Sequence, residues 1–127
     1  MLDTTVFIAH ESGRDLDYDR LPGESAVSVI TVAELRAGVL AAADTATRAR
    51  RLATLDATSD MMVLAVDEAV AARWAALRVH LAEEGLRLNV NDLWIAATAV
   101  AHELPVVTQD ADFDPLEGLE RFELIHV

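Results

Sequence analysis

Cysteine and lysine are both missing from this sequence of 127 residues, and glycine and proline are scarce, with five and three residues. The absence of cysteine excludes disulfide scaffolds, zinc ribbons, iron–sulfur clusters and thiol nucleophiles. Hydrophobic residues make up 53% of the chain, which together with the scarcity of glycine and proline excludes a disordered or low-complexity protein. The length and composition therefore predict a single domain over residues 1–127.

Long apolar runs are also missing. No stretch of about eighteen uncharged apolar residues occurs, so no transmembrane helix is predicted. The opening residues, Met1-Leu2-Asp3, lack the basic and apolar regions of a secretory signal. We therefore expect a cytoplasmic protein without a membrane partner.

Positive charge is in short supply. Ten arginines face twenty-two acidic residues, for a formal net charge of −12. This balance argues against an ordinary nucleic-acid binder, because affinity for phosphate comes mainly from cationic side chains. The remaining candidates for chemistry are carboxylates, hydroxyls and four histidines. The histidines have no metal-like spacing among themselves, and we interpret them as structural or surface residues.

Hydrophobic periodicity and turn residues predict alternating strands and helices. Strands are predicted at 26–30, 62–66, 106–107 and 122–127, and helices at 31–43, 46–57, 67–84 and 91–103. Thr31 and Glu34 form a capping-box pattern that predicts the start of the first of these helices, and Asp67 is the predicted cap of the third. Strands separated by helices of this length predict an α/β fold with a central parallel sheet flanked by helices.

Acidic residues of four separate segments are predicted to meet at one edge of this sheet, where ligands bind in open α/β folds. Each also has a purely structural interpretation. Glu34 could complete a capping box, Asp92 could favour the positive end of its helix, and Asp110 could form an Asx turn. Asp3 could cap the helix that follows it, and Asp112 could be a solvated turn residue. The acids assigned to this edge are Asp3, Glu34, Asp92, Asp110 and Asp112.

Several carboxylates a few ångströms apart repel one another unless protons or cations compensate them. A set of ligands made of oxygen alone suits Mg²⁺ or Mn²⁺ rather than zinc. Such ions activate water and orient phosphate groups during phosphodiester cleavage. The acidity could therefore recruit an anionic substrate through metal.

The chain resembles the PIN-domain ribonucleases, and specifically the VapC-type toxins of bacterial toxin–antitoxin modules, over nearly its whole length. Any single segment would be a weak match, but four segments in order make the resemblance specific. They are residues 2–9 (LDTTVFIA), 28–38 (SVITVAELRAG), 91–99 (NDLWIAATA) and 107–113 (VTQDADF).

The resemblance implies a three-layer α/β/α PIN-like fold and a toxin that is a Mg²⁺- or Mn²⁺-dependent endoribonuclease. In this family a metal-activated water attacks an RNA phosphodiester and leaves 5′-phosphate and 3′-hydroxyl ends. Thr4 and Thr108 match positions that orient carboxylates or water. The residues that the resemblance makes catalytic metal ligands are Asp3, Glu34, Asp92 and Asp110, with Asp112 as an additional ligand or a supporting group.

The resemblance also implies partners: RNA as substrate, a second copy in a homodimer, and a VapB-type antitoxin that inserts a basic residue among the carboxylates. Two features depart from the family pattern. Only Met1 and Leu2 precede Asp3, which predicts a shortened central strand. Asp110 and Asp112 are only two positions apart, so either could contact metal directly.

Some arginines should line the approach to the acidic cluster if RNA binds there. Arg14, Arg20, Arg36 and Arg87 are candidates, although a solvated or salt-bridged surface position is the more ordinary interpretation of each. Arg48, Arg50 and Arg51 form the densest basic cluster, whose orientation the sequence leaves open. Gly38 lies one turn beyond Glu34, where close approach of backbone or substrate, or simple tolerance, would explain it.

Three other functions compete with this interpretation. The chain could be a PIN nuclease of RNA processing, or one that acts on DNA, outside any toxin–antitoxin module. It could be a receiver-like signalling domain, which the absence of lysine disfavours. It could also be a catalytically inactive binding module, against which the intact acids in all four segments argue.

Overall fold

The computed structural model describes residues 1–127, in which helices and short parallel strands alternate. The helices are α1 (Thr4–Ser12), α2 (Val29–Leu40), α3 (Thr45–Asp56), α4 (Glu68–Glu83) and α5 (Val90–Ala101). The strands are β1 (Ala26–Ser28), β2 (Met62–Leu64), β3 (Val106–Thr108) and β4 (Leu124–His126). Short 3₁₀ helices lie at Tyr18–Arg20 and Ala111–Leu116. The predicted α/β class is confirmed.

The sheet is joined at its centre by a single residue. β1 pairs with β2, and β3 pairs with β4, both in parallel. Leu2 forms parallel bridges to Val27 in β1 and to Val107 in β3. The strand order is therefore β2, β1, Leu2, β3, β4, and the predicted shortening of the central strand is confirmed. Asp3, which follows Leu2, consequently lies at the carboxyl edge between β1 and β3.

The two faces of the sheet belong to different hydrophobic clusters. Ala26 and Val106 pack with α5 and the inner face of α4, in a cluster that contains the fully buried Ile95. Their neighbours Val27 and Val107 pack with α1 and with Leu35 of α2. Because successive strand residues point to opposite faces, this division confirms the three-layer α/β/α arrangement. No helix is both long enough and apolar enough to cross a membrane.

The start of α2 differs from the prediction. Its cap is Ser28, whose Oγ accepts a hydrogen bond from the Ile30 amide at 3.1 Å. The predicted strand is therefore present but ends at Ser28 rather than at residue 30, and the predicted capping box at Thr31 was wrong. Serine and threonine are both good caps, and the apolar Val29 and Ile30 resemble a continuing strand in sequence. The helix also ends at Leu40, before the predicted 43. Glu34 therefore lies in the second turn, where its carboxylate has no capping role.

The other predicted helices are confirmed with small shifts of their ends. Asp67 caps α4 through a hydrogen bond from the Val70 amide to Oδ1 at 2.9 Å, as predicted. Gly85, with φ +68°, follows α4 in the left-handed conformation that terminates a helix easily. Asn89 caps α5, which places Asp92 in its first turn.

Candidate active site

Asp3 is held rigidly at the centre of the sheet edge. It caps α1 and is only 2% exposed. Its Oδ2 accepts hydrogen bonds from Thr5 Oγ1 at 2.6 Å, from Thr108 Oγ1 at 2.9 Å and from the Thr5 amide at 3.2 Å. Burial raises the pKa of Asp3, while these hydrogen bonds oppose the rise by stabilising the carboxylate. None of the three bonds uses Oδ1.

Glu34 is fixed by groups from two other helices. Thr4 Oγ1 of α1 donates to Glu34 Oε2, and Asn91 Nδ2 of α5 donates to Oε1 at 2.8 Å. The contact from Thr4 agrees with the orienting role that the resemblance implied for it. The role of Asn91 was missed, although its place immediately before Asp92 in a matching segment was a signal for it.

Asp92 has the most perturbed carboxyl group of the site. Its pKa is raised to about 7, first by burial and then by the charges of four other acids. Those acids are Asp3, Glu34, Asp110 and Asp112. Since one carboxyl group feels all four, the fold brings the five predicted acids from four segments into a single electrostatic site.

The loop after β3 supplies the last two acids. Thr108 Oγ1 accepts from the Asp110 amide at 2.9 Å, and Asp110 Oδ1 accepts from the Asp112 amide at 3.0 Å. Asp110 therefore forms the Asx-type turn that was its structural alternative, and it caps the following 3₁₀ helix. Asp110 is half-buried, whereas Asp112 is exposed.

Gln109 ties this loop to the rest of the molecule. Its amide donates to Thr5 Oγ1 at 3.1 Å. Its side-chain Nε2 donates to the backbone oxygens of Asp15 at 2.6 Å and of Val127 at 3.1 Å. Sequence reasoning assigned no role to Gln109 or Thr5, because their partners lie far away along the chain.

The five carboxylates are the type of ligand that a hard divalent cation prefers, but the distances between them do not yet suit one ion. All five acids offer oxygen, and their mutual repulsion is the kind that a cation relieves. In this arrangement, however, no three acidic or histidine side chains are close enough to enclose one ion. Binding of a cation would require some of these side chains to change their positions.

The seven arginines singled out from the sequence divide into two groups. Arg14, Arg20, Arg36 and Arg87 are exposed and make no side-chain hydrogen bond or ion pair. In α3, Arg48 donates to the Ala42 oxygen, Arg50 lies 3.8 Å from Glu11, and Arg51 Nη1 donates to the Gly38 oxygen at 2.7 Å.

Gly38 is not explained by close approach of another backbone. A Cβ placed there would meet only the Arg51 Cδ, at 3.9 Å, which is ordinary van der Waals contact. The interpretation that another backbone approaches Gly38 was therefore wrong, whereas close approach of substrate stays a prediction.

Comparison with known proteins gives consistent matches. A family model described as PIN domain matches residues 1–119. Ribonuclease VapC5 of Mycobacterium tuberculosis is 57% identical over 127 residues, which cover 100% of this chain and 94% of that protein. Ribonuclease VapC4 of the same species is 46% identical over 121 residues, with 94% and 92% of the two chains covered.

A solved structure agrees with the sequence comparison. It is a member of the VapBC family of toxin-antitoxin systems, VapBC-5, from Mycobacterium tuberculosis. The match has a TM-score of 0.93 and 54% identity, and covers 99% of this chain and 96% of that one. The similarity therefore extends over the whole fold, including all four segments that carry the acids.

Proposed function

Because the chain belongs to the PIN-domain family and is a VapC-type ribonuclease, we propose that its clustered carboxylates cleave RNA with the help of a divalent cation. The observation that carries this proposal is the convergence of acids from four segments at one sheet edge, where hydrogen bonds join Asp3 and Glu34 to neighbouring elements and the charges of the other acids reach Asp92. Such a cluster costs stability unless it serves a ligand. We also propose that residues 1–127 form one PIN domain.

Asp3, Glu34, Asp92 and Asp110 would hold Mg²⁺ or Mn²⁺, with Asp112 as an additional ligand. When bound, the ion supplies an activated water and stabilises charge on the phosphate. The chain's own residues keep the ligands in place. Thr5 and Thr108 hold Asp3 Oδ2, and Thr4 holds Glu34 Oε2. Asn91 holds the other oxygen of Glu34. The carboxylates of Asp3 and Glu34 are thus already oriented before substrate binds, so binding does not have to supply the free energy of ordering them.

We propose that the chain acts as the toxin of a toxin–antitoxin module, neutralised by a VapB-type antitoxin. The solved relative is described as part of such a VapBC system. A basic antitoxin side chain would compensate the same carboxylates that metal compensates, and the net charge of −12 favours a cationic partner segment. A homodimer and a cytoplasmic location remain predictions.

Substitution of the acids tests the proposed catalysis. We expect Asp3→Asn and Asp92→Asn each to lower RNA cleavage by roughly a hundredfold or more, because each removes a charge that the cation needs. Cleavage is measured with Mg²⁺ or Mn²⁺ and in excess chelator, which should abolish it. Asp60→Asn, the same change at an exposed loop position, is the matched control.

Undiminished cleavage by both active-site variants would contradict the assignment of the residues. Full activity in chelator would contradict the use of metal. Failure of the protein to co-purify with the product of an adjacent small gene would argue against the antitoxin.

A further inference from the structure

A cavity of about 180 Å³ opens directly beside the acidic cluster. Thr4 and Glu34 of the proposed site form one part of its wall, and Gly38 and Arg51 form another. The cavity therefore connects the carboxylates to a single cationic side chain that comes from α3.

Arg51 has hydrogen-bonding capacity left over. A guanidinium carries five N–H donors, and the structure records one bond, from Nη1 to the Gly38 oxygen. No carboxylate lies within ion-pair distance of Arg51, although the chain has a large excess of acids. The side chain is half-buried, and the bond to Gly38 anchors it at the cavity wall.

The neighbouring acids already have other partners. Thr4 and Asn91 occupy both oxygens of Glu34. Glu11, which also lines the cavity, accepts from Thr54 Oγ1 at 2.8 Å and lies 3.8 Å from Arg50. Arg51 is thus a positively charged group with free donors next to a site that acts on phosphodiesters.

We propose that Arg51 binds a phosphate of the RNA strand beside the bond to be cleaved, and so positions the substrate over the carboxylates. The proposal rests on the proposed ribonuclease function. A guanidinium suits this task because its planar fork matches two phosphate oxygens. The net charge of −12 disfavours binding of a nucleic acid, but a single cationic side chain at the right position can still attract a phosphate group into an acidic region.

The test measures binding of a single-stranded RNA oligonucleotide by fluorescence anisotropy, with Mg²⁺, in an Asp92→Asn background that slows cleavage enough for binding to be measured. We expect Arg51→Gln to weaken binding about five- to tenfold. It should also reduce the slope of log K against log salt by about 0.7, the value for one lost phosphate contact on a single strand. Arg51→Lys should restore the slope, because it keeps the charge.

The matched control is Arg73→Gln, which removes the same charge from an exposed position on α4. This helix packs in the cluster on one face of the sheet, whereas α3 packs against the cluster on the other. Arg73→Gln should change affinity less than twofold and leave the slope unaltered. In the cleaving protein, Arg51→Gln should raise KM while kcat stays within about twofold. Thermal melting shows whether each variant remains folded. If Arg51→Gln does not, Arg51→Met, which also removes the charge and keeps an apolar stem, is measured for the same losses of affinity and salt slope.

An unchanged salt slope in Arg51→Gln, or equal losses in Arg51→Gln and Arg73→Gln, would overturn the proposal. So would a loss confined to kcat, or weaker binding of an antitoxin peptide with RNA binding intact. These results are distinct from failure of the proposed catalysis, which the cleavage assay on Asp3→Asn and Asp92→Asn reports separately.

Discussion

Thr5 illustrates how much of the site depends on one hydroxyl. Its Oγ1 donates to Asp3 Oδ2, accepts from the Gln109 amide and lies 3.0 Å from Thr108 Oγ1. It thereby joins the central aspartate to the loop that carries Asp110. In a buried network of this kind, each missing partner leaves another polar group unsatisfied.

We expect Thr5→Val to destabilise the protein by about 1–3 kcal/mol, because Asp3 loses a donor and the Gln109 amide loses its acceptor. Cleavage should fall roughly tenfold or more as Asp3 loses its fixed orientation. Urea unfolding and kcat measure the two effects. Thr5→Ser, which keeps the hydroxyl, should retain most of both properties; equal losses in the two variants would contradict the role of Oγ1.

At the scale of elements, the position of the first turn of α2 decides what Glu34 does. Because the helix is capped by Ser28 rather than Thr31, Glu34 lies beyond the first turn. Its carboxylate is therefore free to accept hydrogen bonds from Thr4 and Asn91. Thr31 becomes a fully buried residue whose hydroxyl has no hydrogen-bond partner. The two hydroxyl residues therefore contribute to stability in opposite ways.

Ser28→Ala should cost about 0.5–2 kcal/mol of stability, because it removes the cap of α2. Thr31→Val keeps the shape and removes a buried, unpaired polar group, so its effect should be close to zero or stabilising. Denaturant unfolding followed by circular dichroism compares the two variants. A larger loss in Thr31→Val would mean that the helix starts at Thr31 after all.

For the whole molecule, the acidic cluster makes stability depend on pH. Asp92 has a pKa of about 7 in the folded protein against an ordinary value of 3.8. Below pH 3.8 the group is protonated in both states. As the pH rises from there toward 7, the unfolded chain loses the proton and the folded protein keeps it, so stability falls until the folded carboxyl ionises.

In chelator, the melting temperature should therefore fall between about pH 4 and pH 7 and level off above that. The contribution of Asp92 should be roughly 1–2 kcal/mol after allowance for solvent screening of this half-exposed group. Asp92→Asn should remove most of the fall. At pH 8, a divalent cation at one hundred times its Kd should raise the free energy of unfolding by about 2.7 kcal/mol and so offset the loss of stability. Melting that is independent of both pH and metal would contradict a coupled carboxylate site.

The sequence by itself determined the order and type of the helices and strands from β1 onward, and it picked out the five acids that the fold brings near one another. Hydrophobic spacing and caps such as Asp67 are local properties, which neighbouring residues specify. The same locality explains the error at α2, because Ser28 and Thr31 are both adequate caps when only the sequence is considered.

Only the tertiary structure decided how the side chains of separate elements meet. Thr108 and Asp3 are 105 positions apart, and Asn91 and Glu34 are 57 apart. The direction in which Arg48, Arg50 and Arg51 point depends equally on which face of α3 packs against α2. Such contacts arise from the crossovers of the sheet and from packing, which bring distant segments together and leave no local pattern in the chain.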